Sequence, residues 1–188
     1  MSIYLTTRDD HNELLSEEPL ALLIGMLLDQ QIPMERAFAA PALLKERLGG
    51  KVDAAQIAAM DVETLTEVFS QKPALHRFPK SMAARCTLLC EIVATQYHND
   101  ARELWLGAKD GDDLVMRLTK LPGFGEQKAK IFAALLGKQL GITPPNWRQA
   151  TDPFGQEGVY ISVADITSEE TLRLVKDYKA LMKAKIKK

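Results

Sequence analysis

The chain has 188 residues, enough for one domain with a sizeable core. Hydrophobic residues make up 46%, charged residues 26% and aromatics only 6%, with Ala and Leu dominant, which favours helices over a β-sandwich. A net charge of −1 excludes a bulk polycation, so any hold on nucleic acid must come from a local basic face and placed backbone amides.

The opening stretch to Leu15 is polar and of mixed charge, unlike a secretory signal. No apolar run approaches the roughly 20 residues of a membrane span. The expectation is a cytoplasmic protein with no membrane partner. From Glu17 or Glu18 to Gln31 the chain is apolar nearly all round, which predicts a central, buried helix. An amphipathic helix follows from Met34 to Leu48, with Pro41 expected to interrupt it and Gly49-Gly50 to end it. Asp53 and Gln56 are spaced as a capping box, and Asp61 stands where it can cap Val62 to Ser70. Lys72-Pro73 and Phe78-Pro79 mark loop. Lys80 to Tyr97 reads as a long helix with Ala84, Leu88, Leu89, Ile92 and Val93 on its apolar side. It carries both cysteines, Cys86 and Cys90, which read as buried small hydrophobes, since two thiols cannot complete a four-ligand zinc or iron–sulfur site. Asp112 is the expected cap of a helix from Asp113 to Lys120, and Glu126 to Leu140 follows with Gly141 as its C′ glycine. Thr143 to Ala164 holds three prolines and two glycines and predicts an irregular loop. The short alternation at Val159–Val163 does not make a sheet. Ser168 is the expected cap of a last helix, Glu169 to about Lys185, whose end is rich in lysine. About eight helices result, in one domain spanning 1–188, with a hairpin module at about 112–141, the loop at 143–164 and a basic helix at 168–188.

The most informative segment is Leu121-Pro122-Gly123-Phe124-Gly125, set between two helices. Glycines there permit backbone shapes that a Cβ penalises and let another backbone approach closely. The second helix begins with free N–H groups at its positive dipole end, where a phosphate can sit. Lys128 and Lys130 add charge that would neutralise phosphate and make binding salt-dependent. The alternative is a tight helix-helix turn that serves packing only.

This hairpin resembles that of the helix-hairpin-helix base-excision DNA glycosylases, the superfamily of endonuclease III and the adenine glycosylases. Leu22 to Ala37 (LLIGMLLDQQIPMERA) resembles the family's early buried helix with its glutamine-bearing turn, and Ser81 to Tyr97 resembles a later helix, here with Ala83-Ala84-Arg85. The resemblance covers about Leu20 to Gly141 and is to a short, endonuclease III-like branch. It implies an all-α, two-lobed fold that binds duplex DNA, flips a damaged base and hydrolyses its N-glycosidic bond. It also implies a wedge at Gln31 with Gln30 beside it. DNA contacts are implied at Leu121, Gly123, Phe124, Gly125, Gln127, Lys128 and Lys130. A monovalent cation is implied on the backbone carbonyls of Thr119, Leu121 and Phe124.

The chain departs from the family at the chemistry. Gln127 stands where bifunctional members carry a lysine nucleophile, and an amide cannot form a Schiff base. Lys128, one residue along, is turned about 100° away. The family's aspartate register falls near Pro145. The candidates are therefore Asp152, in an Asp-Pro turn, and Asp29, at the end of the apolar helix, where a charge must be exposed or paired. Arg36 and Lys45 are possible partners for Asp29. Asp165, before the last helix, is a weaker candidate that also reads as a turn or cap, and Trp147 reads as a base-stacking or core residue. His76-Arg77 could touch DNA. The four-cysteine cluster of the family is absent, so no iron–sulfur cofactor is expected. The leading expectation is a monofunctional glycosylase acting as a monomer, nucleoid-associated if bacterial. The alternative is a non-catalytic protein that recognises damaged or distorted DNA.

Overall fold

The computed structural model describes residues 3–186. Lys187 and Lys188, counted in the basic end, lie outside them. Among the described residues the chain forms eleven α-helices and one 3₁₀ turn, and no strand.

Helix α1 (Asp9–Glu17) was not expected from so polar a stretch. It is tied in by Asn12, whose buried side chain accepts the N–H groups of Leu5 and Thr6 at 3.0 and 2.9 Å. Helix α2 (Pro19–Leu28) starts on a proline at its first position and buries every residue from Leu20 to Leu28. It stops earlier than Gln31, at the C-cap Asp29. Helix α3 (Met34–Arg47) runs through Pro41 without the expected interruption. Burial of Met34, Ala37, Phe38, Ala40, Pro41 and Leu44 outweighs the roughly 3 kcal/mol a helical proline costs. Its packing on α2 is close: a Cβ on Gly25 would stand 2.7 Å from the Phe38 ring.

Helices α4 (Ala54–Ala59) and α5 (Val62–Ser70) begin at Asp53 and Asp61, whose carboxylates accept the N–H groups of Gln56 and Thr64. Helix α6 (Pro79–Gln96) buries Met82, Ala83, Cys86, Leu89, Cys90 and Val93. Leu88, expected on that side, is 51% exposed, because the buried stripe follows Cys86, Leu89 and Val93 instead. A single turn, α7 (Glu103–Leu106), precedes α8 (Gly111–Thr119). The α8 cap is Asp110 rather than Asp112. Asp110 accepts the Asp113 N–H, while Asp112 accepts the Asn146 amide at 2.7 Å. Helix α9 (Glu126–Leu140) has the expected bounds, and Gly141 ends it in the left-handed region.

The 143–164 segment is more ordered than its composition suggests. It contains α10 (Trp147–Ala150) and runs into the 3₁₀ turn Val163–Asp165. Helix α11 (Glu169–Ile186) is capped by Ser168, whose hydroxyl accepts the Thr171 N–H. Helices α4 and α5 pack on α6, while α8, α10 and the 3₁₀ turn gather on α9. Helix α2 touches α1, α3 and α6, and its C-terminal end meets the turn between α8 and α9. One continuous apolar core joins these helices. No helix among the described residues is long and apolar enough to cross a membrane.

Candidate nucleic-acid interface and its cavity

The turn at residues 121–125 is anchored by side chains that point inward. Leu121 and Phe124 are buried, and the Phe124 ring meets Phe132 edge-on at 6.0 Å. The two glycines differ. Gly123 has φ +79, and a Cβ there would stand 2.7 Å from Leu27 Cδ1, so it is required by both conformation and space. Gly125 has φ −73, and a Cβ there would meet nothing within 4 Å. Gly125 is the α9 N-cap and supplies no side-chain cap. The first helical bond is from Ala129 N–H to Gly125 O, so the N–H groups of Glu126, Gln127 and Lys128 have no intrahelical acceptor. The carbonyls expected to hold a cation are partly engaged: Leu121 O accepts the Phe124 N–H at 3.1 Å, which leaves one lone pair. Among the described residues no cluster of three or more His, Cys, Asp or Glu could hold a metal.

Lys128 turns away from that open helix end. Its ammonium donates to Met26 O at 2.9 Å and Leu27 O at 3.1 Å, capping the last carbonyls of α2. Burial pushes its pKa down to about 8, against the pull of Asp29. Lys130 pairs with Glu126 at 3.0 Å on the α9 surface.

Beyond α2 the chain makes a tightly held bend. Gln30 donates from Nε2 to Leu27 O at 2.8 Å and accepts from Arg85 at 3.2 Å. Its carbonyl accepts from His76 Nε2 at 2.9 Å, while His76 Nδ1 accepts the Phe78 N–H at 3.1 Å. These partners require the neutral Nε2–H tautomer, and burial pushes the His76 pKa down in agreement. His76 is thus a buried clamp rather than a surface contact, while Arg77 lies exposed over the Phe78 ring at 4.8 Å. Gln31, next along, is exposed and has φ +57, a rare conformation for a residue with a Cβ.

Asp29 lies between that bend and α9. Neither Arg36 nor Lys45 pairs with it: Arg36 donates to Ala74 O, and Lys45 pairs with Glu18. Among the described residues its carboxylate has no hydrogen bond or ion pair within 4.0 Å. Burial pushes its pKa up, Lys179 and Lys128 pull it down, and Glu35 pushes it up again. Asp29 and Gln127 line one cavity of about 410 Å³, walled by Ile131, Phe154, Val163 and by Tyr178, Lys179, Met182 and Lys183 of α11.

The other candidates are elsewhere. Asp152 is exposed, accepts from Gln156 at 2.6 Å and does not line the cavity, although Pro153 and Phe154 do. Asp165 caps the 3₁₀ turn and forms a buried pair with Lys138 at 2.5 Å. Trp147 fills a notch made by two glycines: a Cβ on Gly137 would stand 2.5 Å from its ring, and one on Gly111 2.5 Å from its Cα. It is a packing residue. Arg85 and the lysine-rich end of the last helix stand out in the sequence, but Tyr178, Lys179 and Met182 do not. The i, i+4 spacing of Lys179 and Lys183 was the available signal.

Comparisons of the chain with protein-family models, with curated proteins and with solved structures return no match.

Proposed function

We propose that the protein is a monofunctional DNA glycosylase of the helix-hairpin-helix type, with a two-lobed all-α fold. The observation that carries this reading is the convergence at the end of α2. An uncapped helix start behind Gly125, an exposed and strained Gln31, and a carboxylate-bearing cavity meet there. Each suits one step. The free N–H groups of α9 hold a DNA phosphate. Gln31 fills the gap left by an extruded nucleotide, held out by the clamped backbone of Gln30. The cavity has the volume of a small-molecule site and takes the flipped nucleotide. Asp29 then orients water toward the sugar C1′ and stabilises the positive charge that develops as the base leaves. Gln127 lines the same cavity and offers an amide, so hydrolysis rather than Schiff-base chemistry follows at that position.

A second reading has its own support. Burial favours the neutral form of Asp29, and Asp29 is the lone carboxylate lining the cavity among the described residues. A protein that only recognises distorted DNA would tolerate that. The test is single-turnover base release from duplexes carrying uracil, alkylated purines, oxidised bases or mismatches. Asp29→Asn is expected to lower release by about 10²-fold or more with DNA affinity retained, and Asp152→Asn to leave it unchanged. Tight, salt-sensitive binding with no release from any duplex would favour the second reading.

A further inference from the structure

The C-terminal helix contributes charged groups to the cavity that none of the steps above uses. Asp29, Lys179 and Lys183 line the 410 Å³ cavity together, and the same three line an adjoining cavity beside Ile32 and Val175. The carboxyl therefore sits where two cavities meet, with the two α11 lysines around it. Among the described residues neither lysine has an ion-pair partner within 4.0 Å. Lys176, one turn earlier, pairs with Glu35. The remaining wall is largely apolar, with Ile131, Phe154 and Met182. Other ionisable groups facing Asp29 are Lys128 of α9, which is bound to the α2 carbonyls, Glu35 of α3, and Tyr178 of α11.

We propose that α11 is part of the excision site, with Lys179 as the positioning residue that keeps the Asp29 carboxyl ionised inside an apolar cavity. This rests on the glycosylase reading and adds the component it lacks. A half-buried carboxyl with no hydrogen bond, as Asp29 is, drifts toward its neutral form, in which it cannot orient water or answer a developing positive charge. An ammonium held nearby on a separate helix opposes that drift. Lys179 also holds Asp29 down more strongly than Lys128 does. Because the helix is tethered through Leu172, Val175 and the Lys176–Glu35 pair, the ammonium is delivered from a fixed base.

The experiment follows the ¹³C resonance of the Asp29 carboxyl against pH in the full chain, as wild type, Lys179→Met, Lys179→Arg and Lys183→Met. Lys179→Met is expected to shift the titration to higher pH, Lys179→Arg to restore it, and Lys183→Met to shift it less. Single-turnover base release is measured alongside. With Lys179→Met it is expected to fall several-fold at the acid end of the pH profile and to approach wild type at the alkaline end. A Lys179→Met titration superimposable on wild type overturns the proposal, whatever the activity. A shifted titration in a protein that releases no base keeps the Lys179–Asp29 coupling and overturns the glycosylase reading instead.

Discussion

At the scale of single residues, the site is a set of groups that would be more comfortable elsewhere. Asp29 is the clearest case. Burial raises its pKa above that of the unfolded chain, so the folded state binds the proton more tightly. Its contribution to stability is then greatest at low pH and is lost as pH rises through the folded pKa. Asp29→Asn removes the charged form altogether. It is therefore expected to raise the melting temperature at neutral pH by roughly 1–3 °C, by calorimetry on the same preparations in which base release falls about 10²-fold or more. Gln31 repeats the pattern on the backbone, where a left-handed conformation is retained at an exposed residue. Asp29 was legible in the sequence as a charge closing an apolar helix. Its isolation was not, because Arg36 and Lys45 are within reach in sequence yet are drawn to Ala74 O and Glu18 in space.

At the scale of elements, the two hairpin glycines separate a packing role from the proposed binding one. A Cβ at Gly123 strains a positive φ and strikes Leu27, so Gly123→Ala is expected to cost about 1–3 kcal/mol in a urea titration. A side chain at Gly125 meets nothing in the protein but stands before the open end of α9. Gly125→Val is expected to unfold close to wild type and to lose at least about tenfold in DNA affinity by fluorescence anisotropy. Unchanged affinity would mean that the helix start holds no phosphate. The same hairpin fastens α9 to α2 through Lys128. Because burial lowers its pKa to about 8, the unfolded chain binds that proton more tightly, and stability rises between about pH 8 and the usual lysine range. Lys128→Met is expected to lose that rise and to cost roughly 1 kcal/mol by removing its two bonds to the α2 carbonyls, Leu27 O keeping the Gln30 amide and Met26 O the Asp29 N–H, followed by urea unfolding across pH. Helix bounds were readable where local chemistry sets them, as at Asp53, Asp61 and Gly141. They were misread where packing decides, as at Pro41 within α3 and in the polar α1 pinned by Asn12.

At the scale of the whole molecule, a net charge of −1 coexists with basic groups gathered around the end of α2. Arg85 touches Gln30 and lies beside Gly123, Arg77 follows the His76 clamp, and Lys179 and Lys183 line the cavity. Duplex binding is expected to weaken with salt as if roughly three to five phosphates were neutralised, from the slope of log affinity against log salt concentration. A flat plot would leave the hairpin as a packing device. The all-α class followed from composition and helical periodicity. The assembly of one site from α2, α9 and α11 did not, because Asp29, Gln127 and Lys179 are brought together only by long-range packing.

The two thiols of α6 have a further consequence. Cys86 and Cys90 are fully buried and free, and the Cys90 thiol is pushed well above its ordinary range by the neighbouring Cys86 thiol and by burial. A water-soluble thiol reagent reaches neither while α6 stays packed against α4 and α5. Its rate of reaction in native buffer therefore clocks the opening of that helix, a motion that equilibrium unfolding averages away. If an extruded nucleotide draws α2 and α6 together through Gln30 and Arg85, that clock should slow when damaged duplex is added.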